Sequence, residues 1–240
     1  MPSDHNTAYL HEKLTQEFRR NIINRVWAEQ SKIPTEHELC EIYGVSRVTV
    51  RQALSILEKE GYIERLQGKG TFVSPLRIVQ PLGRFYSLGD QVENLGMTPS
   101  SRMYELRLID ASPDMAEQFQ LPEQGQVYFG IRLRLANDMP IALEHFYLPA
   151  YMFPKLTAQE IEDNGLYKTM LNKYGVEPDM ASETFESILL NKTEAEFLEW
   201  ENKKPGIRLE RLTYSKGVMI EDSKAIIRGD RYKCRIELVK

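Results

Sequence analysis

The chain has 240 residues and a mass of 27.9 kDa, with 42% hydrophobic and 28% charged residues, which is typical of a globular protein of one large or two smaller domains. The net charge of −4 argues against a nonspecific nucleic-acid coat, and two cysteines are too few for a disulfide framework or a zinc cluster. Without a long apolar run or a secretory signal, we expect a cytoplasmic protein with no membrane partner.

Three helices are predicted in the first part of the chain. Apolar residues at every fourth position predict a first helix of about five turns with one apolar stripe, formed by Leu10, Leu14, Phe18, Ile22 and Val26. Thr35 and Glu38 have the spacing of a capping box at the start of a short second helix, which Gly44 ends. Ser46 can cap a third helix, ended by Gly61, whose expected inner face is Val50, Ala53, Leu54 and Leu57.

A hairpin is predicted directly after these helices. Two short β-rich runs, 62–66 and 71–73, flank the sequence Gln67-Gly68-Lys69-Gly70. Two helices joined by a tight glycine-bearing turn and followed by such a hairpin indicate a winged helix-turn-helix DNA-binding domain. We assign it to residues 1–74.

The remainder of the chain is predicted to be a linker and an α+β domain. Residues 75–83 contain two prolines and a glycine around a short apolar run, which suits an extended linker. Residues 84–240 alternate strand-like runs with a few helices, and Thr193 with Glu196 repeats the capping-box spacing. The expected strands include 127–135, 141–148, 183–190 and several within 207–238.

The outer face of the third helix carries side chains suited to reading DNA. Arginine can bind a guanine edge through two hydrogen bonds, glutamine can pair with adenine, and a small apolar group can contact the thymine methyl. Hydroxyl groups and first-turn amides can bind phosphates. A solvated helix face would have the same composition. The candidate DNA contacts of this helix are Ser46, Arg47, Val48, Thr49, Arg51 and Gln52.

The tip of the predicted hairpin is a second candidate for DNA contact. Gly68 and Gly70 can serve only to permit a tight turn, and the segment lacks the spacing of a phosphate-binding loop. In a winged helix-turn-helix, however, Lys69 between these glycines can contact phosphates or enter the minor groove.

The sequence from Pro34 to Leu39, with GVSRVTVRQALSILEKEGYIERLQGKGTFV from Gly44 to Val73, resembles the DNA-binding domain of GntR-family bacterial transcription regulators. This resemblance implies that operator DNA is contacted by Arg47, Thr49 and Arg51, with Gly68, Lys69 and Gly70 in the wing. The matching segment adds Thr35 and His37 as candidates. His37 stands where the family commonly has a DNA-contacting arginine, and its side chain is shorter and mostly neutral near pH 7.

The later segments resemble the UTRA ligand-binding domain of the HutC-like GntR subgroup, which has a chorismate-lyase-like α+β fold of antiparallel strands. The matching segments are LGMTP, RLR at 132–134, MPIALEHFYLP at 139–149, GLY at 165–167 and RGDRY at 228–232. The resemblance implies a small-molecule effector, in many members a phosphorylated sugar, and a homodimer. It implies no cofactor and no metal.

Seven residues are candidates for the effector site. Arg132 and Arg134 alternate on a predicted strand and so share a side, where they can clamp a phosphate or carboxylate or simply face solvent. Ser87 at a helix start can add a hydroxyl group and amides. The resemblance adds Glu144 and Glu221, for ligand hydroxyls or amines unless they form salt bridges in the sheet, and Tyr167, with Gly165 where the family often has serine.

These features together predict a transcription regulator that represses its target genes. The effector is expected to act through the linker at 75–83 on the two DNA-binding domains of a dimer. The alternative is an enzyme that uses the chorismate-lyase-like domain on a small anionic substrate. The four histidines, at 5, 11, 37 and 145, show no metal-ligand spacing, and no catalytic constellation is recognisable. A purely structural nucleoid protein is disfavoured by the acidic charge.

Overall fold

The computed structural model describes residues 4–75, 77–81, 83, 85–122 and 125–236. The chain divides into two compact units, Met1–Leu76 and Arg77–Lys240. Parts of the domains and linker that the sequence predicts lie outside the described residues: 1–3, Leu76, Leu82, Arg84, 123–124 and 237–240.

The first unit begins with three helices, α1 (Asp4–Ile23), α2 (Glu36–Tyr43) and α3 (Arg47–Glu60). The predicted caps are confirmed: Thr35 and Glu38 form a reciprocal capping box at α2, and the Ser46 hydroxyl oxygen accepts a hydrogen bond at the start of α3. The extension of the first apolar stripe to Val26 is wrong. Helix α1 ends at Ile23, Arg25 adopts a left-handed φ of 59°, and Val26 is 68% exposed.

The hairpin of the first unit consists of β1 (Ile63–Leu66) and β2 (Gly70–Val73), which pair in antiparallel register, and Lys32 forms an isolated bridge to Phe72. A single buried cluster joins the three helices to the hairpin, because each contributes its apolar face. Its fully or nearly buried members include Phe18, Leu39, Val50, Leu54, Leu57, Ile63 and Val73.

The second unit contains a six-stranded sheet in the order β4-β5-β6-β9-β8-β7, with all neighbouring strands antiparallel. Its strands are β4 (Pro99–Asp110), β5 (Gln126–Ala136), β6 (Met139–Pro149), β7 (Met180–Leu189), β8 (Pro205–Ser215) and β9 (Val218–Arg228). Asn137 and Asp138 both have positive φ, which is the backbone conformation of the tight turn that joins β5 to β6.

Within the predicted linker, Ile78–Pro81 forms a strand, β3, that pairs in parallel with β10 (Tyr232–Arg235). Ile78 is buried, so the short apolar run of this segment packs within the second unit. This part of the chain is therefore extended, as expected, but is hydrogen-bonded to the domain that follows it.

Among the described residues of the second unit, five helices accompany the sheet: α4 (Leu88–Asn94), α5 (Pro113–Gln118), α6 (Ala158–Asn164), α7 (Leu166–Tyr174) and α8 (Lys192–Phe197). Phe146 and Leu148 of β6 pack with residues of α6 and α7, whereas Leu143 of the same strand packs with α8. Because successive side chains of a strand point to opposite faces, α6 and α7 cover one face of the sheet and α8 lies on the other.

The predicted capping box at Thr193 and Glu196 is wrong by two positions. Asn191 is the N-cap of α8: its side-chain oxygen accepts a hydrogen bond from the Glu194 backbone amide, and its own backbone amide donates to the Glu194 carboxylate. Asparagine is among the best N-cap residues, which explains the earlier start. Among the described residues, no helix is long and apolar enough to span a membrane.

Candidate DNA-reading surface and ligand cavity

The exposed end of α3 presents most of the side chains predicted to read DNA. Ser46, Arg47, Val48, Arg51 and Gln52 are all exposed, and Val48 keeps 62% of its surface accessible. An apolar side chain this exposed beside two arginines matches the mixed chemistry of base edges in the major groove.

Thr49 differs from this set. It is only 2% exposed, its hydroxyl group lies 2.9 Å from that of Ser46, and its amide donates to Ser46 Oγ at 3.3 Å. Thr49 is four residues before the buried Ala53, so it belongs to the inner face of the helix. The structure therefore gives Thr49 a place in the cap of α3. Its contact with DNA stays a prediction.

A carboxylate of α2 lies among the arginines of this surface. Glu36 binds Arg47 Nε at 3.0 Å through Oε2, while its Oε1 lies 3.5 Å from Arg65 Nη1 and 3.8 Å from Arg51 Nε. Arg65, on β1, also pairs with Glu58 of α3 at 3.2 Å. Arg65 could not be predicted as part of this surface, because only the tertiary fold brings the first strand of the hairpin next to α2.

The two remaining candidates of α2 lie at its first turn. The Thr35 hydroxyl group donates to Glu38 Oε2 at 2.8 Å within the capping box. His37 is 85% exposed at its side chain, and its Nε2 lies 3.5 Å from Glu41. Both side chains are accessible from solvent, so the structure leaves open to them the DNA contacts that the sequence predicts.

The hairpin tip has the backbone that its glycines were expected to permit. Gly68 and Gly70 have φ values of 74° and 120°, and Lys69 between them is exposed. Gly70 has a further reason to lack a side chain, since a Cβ there would lie 2.5 Å from Cε of Lys32. The Lys32 side chain therefore runs across the base of the tip and adds a second lysine to this surface.

The second unit contains a cavity of about 480 Å³ between the sheet and the helices α4, α6 and α7. Its volume falls within the usual range for small-molecule sites, about 300–1,000 Å³. Six of the seven predicted effector residues line it: Ser87, Arg132, Arg134, Glu144, Gly165 and Tyr167. The seventh, Glu221, accepts a 2.6 Å hydrogen bond from the Tyr167 hydroxyl group.

The two predicted clamp arginines share one face of β5 and one carboxylate. Arg132 and Glu144 are direct cross-strand neighbours, and Arg132 Nε donates to Glu144 Oε2. Arg134 Nη1 lies 3.7 Å from the same oxygen. Burial favours the neutral acid, but the two guanidinium groups outweigh it and hold the pKa of Glu144 below its ordinary value.

The positive charge of Arg134 is less well balanced by a neighbouring carboxylate than that of Arg132. Burial, together with the neighbouring charge of Arg132, lowers the pKa of Arg134 to about 10. Its Nη2 would lie 3.8 Å from a Cβ built on Gly89 of α4, so it reaches the first turn of that helix. Ser87, as predicted, begins α4 and accepts a 3.0 Å hydrogen bond from the Asp90 amide.

A third arginine of the cavity was missed. Arg211 of β8 is 8% exposed, pairs with Glu183 at 2.5 Å, and donates to the Tyr86 carbonyl at 3.1 Å and the Tyr167 hydroxyl group at 3.0 Å. Its signal in the sequence was its position: Leu209, Arg211, Thr213 and Ser215 occupy the buried alternate positions of one strand. Polar residues at those positions indicate a polar interior.

Gly165 precedes α7 with a φ of 81° and no side-chain cap. The cavity wall therefore has no side-chain hydroxyl group at this position, where the family often has serine. Arg228, which does not line the cavity, forms a two-pronged ion pair with Asp230 at 2.9 and 3.0 Å. Within the described ranges, no group of three or more His, Cys, Asp or Glu residues is arranged to hold a metal ion.

Glu221 makes the stability of the folded protein depend on pH. It is 1% exposed, and burial followed by the charge of Glu144 raises the pKa of Glu221 above its ordinary value of 4.5. The unfolded chain therefore releases this proton first, and the parent loses stability as pH rises above about 4.5.

Replacing Glu221 with Gln is expected to remove that loss, because the amide is neutral and its carbonyl oxygen can still accept from Tyr167 and Thr213. Melting temperatures of parent and variant should diverge in favour of the variant as pH rises from about 4.5 through the folded-state pKa of Glu221. A constant difference over that range would contradict the raised pKa.

Comparisons with known proteins extend over both units. Residues 10–73 match the family described as bacterial regulatory proteins, gntR family, and residues 94–233 match the UTRA domain. The chain is 31% identical to the HTH-type transcriptional repressor NagR of Bacillus subtilis (strain 168), over 93% of this chain and 92% of that protein.

Two further similarities have lower identity. The histidine utilization repressor of Pseudomonas aeruginosa is 26% identical over 94% of this chain and 90% of its own. The crystal structure of PhnF from Mycobacterium smegmatis superposes with a TM-score of 0.72 at 24% identity, covering 94% of this chain and 98% of that one. At that identity the superposition supports the fold, a winged helix-turn-helix followed by an antiparallel sheet domain.

Proposed function

Since the chain belongs to the GntR family of bacterial regulatory proteins and carries the UTRA domain of its HutC-like subgroup, we propose that it is a homodimeric repressor whose affinity for operator DNA is controlled by a small anionic metabolite, a phosphorylated sugar, bound in the cavity of the second unit. Relatives across nearly the full length of the chain are named as repressors, which supports the sign of the regulation.

One observation supports an anionic ligand above the others. Arg134 is a largely buried guanidinium group whose ion pair, among the described residues, is to a carboxylate 3.7 Å away that Arg132 already binds. A phosphate or carboxylate entering the cavity would supply the missing partner, and a charge-assisted hydrogen bond in such a site is roughly twice as strong as a neutral one. The hydroxyl groups of Tyr167 and Ser87 beside it can bind the hydroxyl groups of a sugar.

Regulation requires a connection between the cavity and the segment that joins the two units. The residues at 85–87 lie between β3 and α4 and line the cavity. Arg211 holds this segment: it donates to the Tyr86 carbonyl, and its guanidinium carbon lies 4.2 Å from the centre of the Tyr86 ring. Because Arg211 also donates to Tyr167, a ligand that moves Tyr167 would shift the segment leading back to the linker.

A thermal-shift screen tests the ligand class. The panel contains hexose and amino-sugar phosphates, their unphosphorylated parents, small carboxylates and inorganic phosphate. A ligand at about 100 times its Kd should stabilise the protein by roughly 2.7 kcal/mol. A shift with the phosphorylated sugar alone supports the proposal, and a shift with carboxylates alone would replace the sugar phosphate by another anion. Recovery of the ligand unchanged after incubation separates sensing from the enzymatic alternative.

Replacing Arg134 with Ala is expected to abolish the thermal shift given by the effector while leaving operator affinity without ligand close to the parent value. The substitution removes the charged partner of the ligand, whereas the carboxylate of Glu144 lies as far as 3.7 Å from the Arg134 guanidinium group. The matched control is Arg102→Ala, since Arg102 is exposed on β4. This variant should bind the effector and the operator like the parent. Normal effector binding by the Arg134 variant would place the anion site elsewhere.

The protein is expected to bind a palindromic operator as a two-fold dimer, because one short recognition helix reads too few base pairs for a unique site. Half-sites should be separated by about one helical turn or a multiple of it. Light scattering of the protein, free and on DNA, measures the assembly directly. A monomer at micromolar concentration in both conditions would contradict the dimer.

A further inference from the structure

The carboxylate of Glu36 is surrounded by three guanidinium groups that come from two different elements of the first unit. Arg47 and Arg51 belong to α3, and Arg65 belongs to β1. Each Glu36 oxygen is used: Oε2 lies 3.0 Å from Arg47 Nε, while Oε1 lies 3.5 Å from Arg65 and 3.8 Å from Arg51. Two of these arginines are predicted DNA contacts, so one side chain touches both of them.

The side chains of this cluster differ in their exposure to solvent. Arg47 and Arg51 are 75% and 64% exposed, whereas Glu36 is 21% exposed. The carboxylate therefore lies beneath the arginines, and the guanidinium groups remain accessible for further hydrogen bonds. A guanidinium group has five N–H donors, so one that donates to a carboxylate below can still bind a base edge above.

A carboxylate in this position has two opposing effects on DNA binding. Its negative charge weakens the attraction of the surface for phosphates, which supplies nearly all of nonspecific affinity. It also restricts long side chains that otherwise sample many rotamers, and a restricted arginine loses less conformational entropy when it binds a base edge. The first effect lowers binding to every sequence, and the second favours the sequence whose guanines match the fixed geometry.

We propose that Glu36 is a positioning residue that sets operator specificity by orienting Arg47, Arg51 and Arg65, an inference that rests on the operator-binding function proposed above. Glu36 does not need to touch DNA for this role. The alternative is a purely structural role, in which Glu36, an acidic residue in the first turn of α2, serves only to stabilise that helix. The two roles differ in what they change: helix stability alters the melting temperature, whereas orientation alters discrimination between DNA sequences.

The experiment uses the full chain and an operator duplex obtained by in vitro selection from a random library with the parent protein. Fluorescence anisotropy gives the Kd for this duplex and for a scrambled duplex of the same composition at one salt concentration, and their ratio is the specificity. The variants are Glu36→Gln and Glu36→Asp. The matched control is Glu58→Gln, which removes the same charge from a residue that pairs with Arg65 alone.

We expect Glu36→Gln to bind scrambled DNA more tightly than the parent and to lose at least tenfold in specificity at an unchanged melting temperature. Glu36→Asp keeps the charge but shortens the reach, so it should lose specificity without gaining affinity for scrambled DNA. Glu58→Gln should raise both affinities together and keep the ratio.

An unchanged ratio of the two Kd values in both Glu36 variants, or an equal loss of specificity in Glu58→Gln, would overturn the proposed role of Glu36. Neither result would affect the proposed operator-binding function. A parent protein that enriches no sequence in the selection would overturn the operator-binding function, and the role of Glu36 with it.

Discussion

Replacing Arg47 with Ala is expected to reduce operator affinity by about 5- to 150-fold per half-site, equivalent to the roughly 1–3 kcal/mol of a good bidentate base contact. Arg47 is the first residue of α3, the end that enters the major groove in helix-turn-helix proteins, and 75% of its side chain is exposed. In a dimer both half-sites lose this contact, so the total effect should be among the largest that one substitution can produce on this surface.

The same variant should keep its fold, because Arg47 contributes nothing to the buried cluster of the first unit. A gel-shift titration on operator and scrambled duplexes, with the melting temperature measured in parallel, checks both points. Arg20→Ala is the matched control, since Arg20 is an exposed arginine of α1 outside the proposed reading surface. Parent-like operator binding by the Arg47 variant would remove this residue from the recognition contacts.

Replacing Glu144 with Gln is expected to destabilise the second unit by about 3–5 kcal/mol at pH 7, the usual cost of removing one partner of a buried ion pair. Arg132, on the neighbouring strand, is only 3% exposed and would lose its carboxylate partner in the interior. The double variant Arg132→Met with Glu144→Leu should recover part of this loss, because Arg132 no longer leaves a buried charge. Arg134 still loses the same carboxylate, so the recovery should be incomplete.

Urea denaturation measures this effect separately in the two units. Trp27 belongs to the first and Trp200 to the second, so a Trp27→Phe background lets fluorescence report the second unit. The pKa of Glu144 is lowered in the folded state, so its contribution is present above about pH 4.5 and is lost as pH falls through the folded pKa. The difference between parent and variant should shrink accordingly. A loss below about 1 kcal/mol at pH 7 would contradict a buried pair.

Local sequence signals predicted much of the first unit. Thr35 and Ser46 act through hydrogen bonds to residues three positions away, so their caps are readable without knowledge of the fold. The alternation of Arg132 and Arg134 likewise placed both on one face of a strand. The burial of Thr49 also follows from periodicity, because Thr49 shares a helix face with the buried Ala53.

Contacts between distant parts of the chain could not be predicted in this way. Glu36 meets Arg65 only because the hairpin folds against α2, and Arg211 meets Tyr86 across 125 positions of sequence. Neither pairing leaves a periodic or spacing signal. The strand Ile78–Pro81 was read as linker for the same reason: its partner, β10, lies near the other end of the chain.

Calorimetry tests most directly whether a ligand of the cavity controls operator binding. It measures the affinity of one effector for the protein in the presence and in the absence of operator. Coupling of the usual size, about 1–3 kcal/mol, would change operator affinity by about 5- to 150-fold when the effector is bound. Effector affinity must then change by the same factor when operator is bound, because the coupling free energy is reciprocal. We predict two equal factors, both lost in Arg134→Ala. An effector that binds with the same affinity whether or not operator is present would contradict the proposed regulation.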